Sequence, residues 1–215
     1  MSETLKAADL PFVIKVCGIN TEEDLETSLE AGANAIGFNF YQKSPRYITP
    51  QRGRQIARSM QTPYIKVGVF VNPSEDELIE TASMVPLDVL QLHGDQAPVH
   101  LASSFRIWQG YHATASREDL DIDVEAWLLD TPTSQHGGSG KTFDWSLAAN
   151  FPRRSVVAGG LAGDNVAKAI ETARPWGVDA CSRLETKPGE KDPERIKSFV
   201  EAALAAFRLH QEIHS

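Results

Sequence analysis

The sequence has 215 residues, of which 41% are apolar and 23% charged, as in an ordinary globular protein with a sizeable core. Its net charge of −8 argues against nucleic acid as a partner, because neutralising backbone phosphates requires clustered Lys and Arg. The sequence has no run of about 18 apolar residues and therefore predicts no membrane-spanning helix. Only two cysteines occur, and the N-terminus lacks an apolar signal core, which favours a cytoplasmic protein without a disulfide scaffold.

Regular structure is first predicted at residues 12–17, a short β-branched segment that is typical of a buried parallel strand. Asn20 or Thr21 can cap the helix that follows. The acidic residues 22–24 lie near the positive end of that helix, and Gly32 ends it. One strand followed by one helix is therefore the first structural unit.

The same unit repeats along the chain. Further strands are predicted at residues 33–40, 64–71, 87–92, 105–111, 125–129, 155–158 and 177–181. Helices are predicted at residues 49–60, from 73, near 97–103, 164–174 and 192–209, and the polar residues 116–121 predict one turn at most. Eight alternating units favour a closed parallel sheet over an open one. The predicted fold class is α/β, a (β/α)8 TIM barrel, and without linkers residues 1–215 are predicted to form a single domain.

In such barrels the active site lies at the carboxyl ends of the strands. Because these ends meet at one rim, we expect the site to combine residues from several strands. The candidates at or just after the predicted strand ends are Cys17, Asn39, Arg46, Asn72, Gln91, His93, Gln109, Asp130, Gly159, Gly160 and Ser182.

Cys17 and Asp130 each have two interpretations. A buried cysteine is commonly a small apolar residue, whereas a thiolate base requires a lowered pKa or a nearby acid–base partner. Asp130 can cap the turn that follows its strand, or it can be a general acid that faces Cys17 across the barrel mouth. Position alone leaves both interpretations open.

Glycines follow two of the last strands. Loops such as Gly159-Gly160 and the one at Ser182 commonly hold a phosphate through backbone N–H groups, although they can also be simple turns. Residues 136–142 resemble a nucleotide-binding P-loop, but Gln135 occupies the position of the first glycine of that motif. We interpret residues 136–142 as a mobile loop over the site.

Arg46 and His93 complete the candidate site. The guanidinium of Arg46 is either a surface charge or a group that grips a carboxylate with two hydrogen bonds. His93 is either a structural donor or a substrate contact. The other histidines show no spacing that would supply three metal ligands, so the sequence predicts no metal site.

Short segments around these candidates form a collinear series over residues 15 to about 200. They are 15–19 (KVCGI), 37–40 (GFNF), 44–48 (SPRYI), 67–71 (VGVFV), 90–94 (LQLHG), 129–130 (LD), 137–145 (GGSGKTFDW), 158–161 (AGGL) and 177–179 (GVD). Each segment alone is weak evidence for any family. In this order and spacing, however, the segments resemble the phosphoribosylanthranilate isomerase family of tryptophan biosynthesis.

The family catalyses an Amadori rearrangement of a small phosphorylated aminoaldose. The resemblance implies that Asp130 is the general acid, which protonates the ribose ring oxygen and opens the ring to a Schiff base. It implies that Cys17 is the general base, which takes the proton from C2. Arg46 corresponds to an arginine near the anthranilate carboxylate, and the loops after the seventh and eighth strands correspond to a phosphate cradle. The resemblance implies neither a metal nor a cofactor.

The loop after the eighth strand departs from the family's pattern. Ser-Ser-Gly-Val-Glu is usual there, whereas this chain has Cys-Ser-Arg-Leu-Glu at residues 181–185. We hypothesise that the guanidinium of Arg183 holds part of the phosphate. The alternative is that the guanidinium points into solvent while the backbone N–H serves.

Other functions remain open from the residues alone. The histidine-pathway aminoaldose isomerase has the same fold, but enzymes of that type have Asp in place of Cys17. A non-catalytic barrel that binds a phosphorylated ligand would need neither Cys17 nor Asp130. A P-loop nucleotide-binding protein is disfavoured by Gln135. Monomer and homodimer are both compatible with the sequence.

Overall fold

The computed structural model describes residues 10–94, 98–113, 120, 122–130 and 142–214. Eight parallel strands pair in sequence order and close into a barrel, because the last strand returns to pair with the first. This confirms the predicted (β/α)8 barrel. The strands are β1 (Val13–Cys17), β2 (Ala35–Asn39), β3 (Ile65–Val71), β4 (Val89–His93), β5 (Ile107–His112), β6 (Ala126–Asp130), β7 (Ser155–Val157) and β8 (Gly177–Ala180).

The described residues include α-helices that pack on the outer face of the barrel. They are α1 (Glu22–Ala31), α2 (Pro50–Ala57), α3 (Glu75–Met84), α4 (Val166–Ala173) and α5 (Pro193–His214). Thr21 caps α1, because its Oγ1 accepts a hydrogen bond from the backbone N–H of Asp24 at 3.1 Å. Gly32 ends α1 with a φ of 106°. No helix in this part of the chain is both long and apolar enough to cross a membrane.

The connection between β4 and β5 differs from the prediction. The helix predicted at residues 97–103 is a five-residue 3₁₀ helix, Val99–Ser103. Pro98 precedes it and offers no side-chain oxygen to cap the first backbone N–H groups, so the element stays short. The turn predicted at 116–121 lies outside the described residues except for Leu120, as do residues 136–141 of the predicted mobile loop.

A two-stranded antiparallel hairpin follows β8 and is not predicted from the sequence. Its strands, β9 (Glu185–Lys187) and β10 (Glu190–Lys191), are joined by Pro188 and Gly189, whose φ is 84°. The Pro-Gly dipeptide is a common turn signal and could have indicated this hairpin. The hairpin brings the side chains of Glu185 and Lys191 to buried positions, 2% and 1% exposed.

Side chains along β1 alternate between the side that faces the helices and the interior of the barrel. Ile14 and Val16 pack outward with the helices, whereas Val13 packs inside the barrel with other apolar side chains. Lys15 and then Cys17 follow on the inward side of the same strand. The barrel interior therefore changes from apolar at the amino ends of the strands to charged and reactive at their carboxyl ends.

Candidate active site

A cavity of about 610 Å³ opens at the carboxyl ends of the strands. All eight residues assigned to the site from the sequence line it, although they come from six different strand ends and loops. They are Cys17, Arg46, His93, Asp130, Gly159, Gly160, Ser182 and Arg183. Asn39 and Gln91 also line the cavity, whereas Asn72 and Gln109 are not among its lining residues.

Asp130 and His93 are the last residues of β6 and β4, and both are half-buried. The amide nitrogen of Gln91 lies 2.7 Å from Nε2 of His93. A Cβ on Gly110 would lie 2.5 Å from Nδ1 of His93, so only glycine at this position leaves room for the ring. His93 is therefore held in place by its own strand and by the neighbouring β5.

An ion pair that was not assigned to the site lies directly beneath the cavity. Nζ of Lys15 donates a hydrogen bond to Oδ1 of Asp179 at 2.9 Å, and the two residues face each other in the pairing of β1 with β8. Both side chains are buried, at 0% and 7% exposure. The sequence signal was a charged residue in the middle of each of two apolar strands.

Burial and mutual attraction act against each other in this pair. Burial raises the pKa of Asp179 to about 7, because the attraction of Lys15 offsets only part of the lost hydration. Burial also disfavours the ammonium group, but the charges of Asp179 and Cys17 more than compensate and raise the pKa of Lys15. Lys15 therefore stays a fixed positive charge beside Cys17.

Arg46 is bound to a carboxylate of the protein itself. Its Nε and Nη2 donate to the two carboxylate oxygens of Glu185, each at 2.7 Å. Nζ of Lys191 donates to the same carboxylate at 3.0 Å. Desolvation opposes ionisation of Glu185, but the hydrogen bonds and charges of Arg46 and Lys191 prevail and lower its pKa. Two cations around one carboxylate leave this corner of the cavity with an excess positive charge.

The two cysteines lie side by side at the rim. Val16 pairs with Ala180, so the residues that follow them, Cys17 and Cys181, are neighbours at the ends of β1 and β8. Both cysteines are free, and their thiols are within hydrogen-bonding reach of each other. Gly18 follows Cys17 with a φ of 77°, a conformation that glycine adopts without strain and that lets the chain turn here. A Cβ at this position would also lie 3.2 Å from the Cys181 sulfur.

The surroundings of the two thiols differ. The hydrogen bond with Cys181, together with burial, raises the pKa of Cys17 well above its usual range, although Lys15 acts in the opposite direction. The same hydrogen bond lowers the pKa of Cys181 to about 6, and the charges of Lys191 and Arg46 act in the same direction. Nζ of Lys191 lies 3.8 Å from the Cys181 sulfur.

The loop after β7 contains two consecutive glycines in the left-handed region, Gly159 at a φ of 84° and Gly160 at 63°. Such a backbone has no Cβ in the way of a bound group. The Gly160 carbonyl accepts hydrogen bonds from Nδ2 of Asn165 at 2.9 Å and from Nη1 of Arg183 at 3.2 Å. The guanidinium of Arg183 also pairs with both oxygens of Asp164, at 3.0 and 2.8 Å, and this pairing lowers the pKa of Asp164. Arg183 therefore links the loops that follow β7 and β8.

Positive charge converges on the cavity although the chain as a whole carries a net charge of −8. Lys43, Arg46 and Arg183 line the cavity, and Lys15 and Lys191 lie behind it, whereas the described carboxylates of this region are Asp130, Asp164, Asp179 and Glu185, so the cations exceed the carboxylates by one. A local excess of cations favours an anionic ligand within an acidic protein. Within the described residues, no three His, Cys, Asp or Glu side chains are grouped to hold a metal ion.

Several known proteins with similar sequences and structures belong to one family. The profile of N-(5'-phosphoribosyl)anthranilate (PRA) isomerase matches residues 14–202. The N-(5'-phosphoribosyl)anthranilate isomerase of Solibacter usitatus is 46% identical and covers 91% of this chain and 99% of its own length.

Two solved structures resemble the barrel along nearly its full length. One is a PRA isomerase in complex with reduced 1-(o-carboxyphenylamino)-1-deoxyribulose 5-phosphate, 36% identical with a TM-score of 0.77. The other contains monomers generated from the dimeric enzyme of Thermotoga maritima, 37% identical with a TM-score of 0.76. Each comparison covers 90% of this chain and 99% of the solved one. These similarities agree with the resemblance that the sequence motifs carry, and the chain belongs to the N-(5'-phosphoribosyl)anthranilate isomerase family.

Proposed function

We propose that Cys17 and Asp130 perform the two proton transfers by which this chain isomerises N-(5'-phosphoribosyl)anthranilate. The family's reaction, a step of tryptophan biosynthesis, yields 1-(2-carboxyphenylamino)-1-deoxyribulose 5-phosphate. The observation that carries the assignment is that both side chains line one cavity from two different strands, β1 and β6. Groups on separate strands can reach separate atoms of one sugar, as two distinct proton transfers require.

The two groups act in sequence. Asp130 donates a proton to the ribose ring oxygen, the C1–O bond breaks, and the nitrogen lone pair forms the Schiff base. Cys17 accepts the proton from C2, and the electrons of the C2–H bond form the enolamine double bond. The enolamine then tautomerises to the aminoketose. Each proton transfer of this kind typically contributes about 10²- to 10⁴-fold to the rate.

The two charged ends of the substrate match the charged parts of the cavity. We assign the phosphate to the loops at Gly159-Gly160 and Ser182, and the anthranilate carboxylate to the vicinity of Arg46. Glu185 accepts one N–H from Nε and one from Nη2 of Arg46, which leaves one N–H on Nη2 and two on Nη1 outside that pair. Arg46 therefore offers the anthranilate carboxylate its charge and the Nη1–Nη2 end of its guanidinium, while the Nε side holds Glu185.

Replacing the base tests the assignment of Cys17. We expect Cys17→Ala to lower kcat by about 10²- to 10³-fold, because the side chain proposed to face C2 is then missing and cannot take its proton. Turnover of N-(5'-phosphoribosyl)anthranilate is followed by the loss of its anthranilate-type fluorescence. Affinity for the reduced product analogue should change little, because the substrate's charged ends bind elsewhere.

Cys17→Ser is the matched control, since it keeps the size of the side chain but not the acidity of a thiol. We expect it to be nearly as slow as Cys17→Ala. Wild-type turnover by Cys17→Ala would remove this residue from the base role. No turnover by the wild-type chain would support a non-catalytic phosphate-binding barrel.

Arg183 is proposed to hold the phosphate loop and not the phosphate itself. Arg183→Ala should raise KM about two- to fivefold with kcat nearly unchanged, since the exposed pair with Asp164 is weak and acts on ground-state binding. Asp164→Ala should raise KM in the same way. If the guanidinium instead binds phosphate directly, Asp164→Ala would release it and lower KM. Lys168→Ala, at an exposed position on α4, is the control and should leave KM unchanged.

Three further proposals concern the chain as a whole. We infer that residues 1–215 form a single domain and that the enzyme acts in the cytoplasm, as its biosynthetic role suggests. The Thermotoga maritima relative is described as dimeric, which supports a homodimer, with a monomer as the alternative. Sedimentation equilibrium would distinguish the two assemblies.

A further inference from the structure

The acid–base steps proposed above use Cys17 and Asp130 but not the second thiol of the cavity, that of Cys181. Cys181 lines the cavity beside Cys17, yet the family's usual pattern has Ser at this position. Its thiol lies close to an ammonium group, with Nζ of Lys191 at 3.8 Å, and that ammonium also donates to the backbone carbonyl of Cys181 at 3.1 Å. A thiol next to cations and a second thiol is placed to act as a proton acceptor.

We propose that Cys181, as a thiolate, receives the thiol proton of Cys17 while Cys17 takes the proton from C2 of the substrate. Cys181 thus acts through Cys17, and the inference rests on the proposed role of Cys17 as the group that faces C2. In the resting enzyme the pair carries one negative charge, which lies mainly on Cys181, and Cys17 donates the hydrogen bond between the two sulfurs.

The step balances in protons and electrons. The C2–H bond breaks, its electron pair forms the C1=C2 bond, and the π electrons of the protonated Schiff base move to nitrogen. Cys17 gains the C2 proton and passes its own to Cys181, so the thiolate and the iminium charge are neutralised together. No external oxidant or reductant takes part.

The charges around the pair favour this distribution. Cys17 lies next to the Lys15–Asp179 pair, whose charges largely cancel, and lines the same cavity as Asp130. Cys181 lies next to two cations, Arg46 and Lys191, that share the carboxylate of Glu185. Oε1 of Glu185 lies 3.9 Å from the Cys181 sulfur and opposes a thiolate there, but the two positive charges exceed this single negative one. The hydrogen bond with Cys181, and then burial, raise the pKa of Cys17, whereas the pKa of Cys181 falls to about 6. The ionisable and charged groups that face the pair are Lys15, Asp179, Arg46, Glu185, Lys191, Asp130 and His93.

A thiolate titration identifies which sulfur is charged. The chain has only two cysteines, so the ultraviolet absorbance of thiolate reports on this pair alone, with Cys17→Ser/Cys181→Ser as the blank. We expect the unliganded wild type to show a thiolate step near pH 6, the value to which the pKa of Cys181 is lowered. Cys17→Ser should keep this step, because its hydroxyl can still donate to Cys181, and Cys181→Ser should lose it. If Cys181→Ser keeps the step and Cys17→Ser loses it, the proposal is overturned.

The pH dependence of kcat/KM tests the proton transfer itself. In Cys181→Ser, Cys17 must ionise alone, so the acidic limb should move up by at least about one pH unit, and the variant should be at least about fivefold slower than the wild type at about pH 6. The deficit should shrink as the pH rises. An unshifted limb would contradict the proposal even if Cys17→Ala is inactive, whereas an active Cys17→Ala would contradict the proposed function instead. The thermal midpoint of Cys181→Ser shows whether the fold is intact.

Discussion

Asp130→Asn is expected to lower kcat by about 10³- to 10⁴-fold, at the upper end of what a single general acid contributes. The amide has no proton that it can donate to the ribose ring oxygen, so the ring cannot open and the Schiff base does not form. Every later step depends on that opening, and for this reason we expect a larger loss than for Cys17→Ala. The measurement is the rate of fluorescence loss from N-(5'-phosphoribosyl)anthranilate under saturating substrate.

Two variants make this result specific to the acid. Asp130→Glu keeps a carboxylic acid on a longer side chain and should recover part of the lost rate. Asp123→Asn, at an exposed position before β6, should behave as the wild type. Wild-type kcat for Asp130→Asn would exclude Asp130 as the acid and direct attention to His93, a side chain at the end of β4 that lines the same cavity.

Lys15→Met is expected to cause the largest loss of stability among single substitutions in the barrel interior. Removing one partner of a buried ion pair leaves the other charge uncompensated, which typically costs about 3–5 kcal/mol. For a chain of this size we expect the thermal midpoint to fall by on the order of 10 °C. Thermal unfolding followed by circular dichroism, together with urea denaturation, measures the change.

A double substitution that also removes Asp179, and a substitution in the exposed Lys168–Glu171 pair, supply the controls. In Lys15→Met/Asp179→Leu the two charges are replaced together by apolar groups, and much of the stability should return. Lys168→Met, which breaks an exposed pair on α4, should leave the midpoint unchanged. A small loss for Lys15→Met with no recovery in the double variant would mean that the pair contributes little.

The loss for Lys15→Met should also depend on pH, because of Asp179. The pKa of Asp179 in the folded chain is about 7, above the value of about 3.9 for an unfolded Asp. The raised pKa of this carboxyl group therefore adds to the free energy of unfolding. That contribution is fully present below about pH 4 and is lost as the pH rises through about 7. Without Lys15 the ionised carboxylate is unpaired, so the destabilisation should be larger at about pH 8 than at about pH 5.

The architecture could be predicted from the sequence because it depends on local patterns. Short β-branched segments such as residues 12–17, followed by capped helices such as α1, repeat along the chain, and their alternation indicates a parallel sheet. Cys17 and Asp130 became candidates because a barrel places the ends of its strands at one rim, and their roles came from the family resemblance. The segment Val99–Ser103 shows the limit, since the sequence predicted a longer helix there and the structure has a short 3₁₀ helix without a side-chain cap.

The partners of the charged side chains could not be predicted in this way. Arg46 and Arg183 were each considered as ligands for a substrate anion, yet Glu185 and Asp164 bind their guanidinium groups. A sequence shows that a guanidinium is present, but its partner depends on strand register and on where a distant loop returns. The Arg46–Glu185 pair, for example, joins residues 139 positions apart.

The pairing of β1 with β8 has a consequence for how activity is acquired during folding. Lys15 and Asp179 are 164 residues apart, and the two cysteines next to them are equally far apart in sequence. Contacts between distant residues carry the highest loop-closure entropy and tend to form late. A nascent chain therefore gains its strands and helices before it has any catalytic pocket, and the last contacts to form are the ones that catalysis needs. Substitutions at this seam should lower turnover while most of the helical signal is still present.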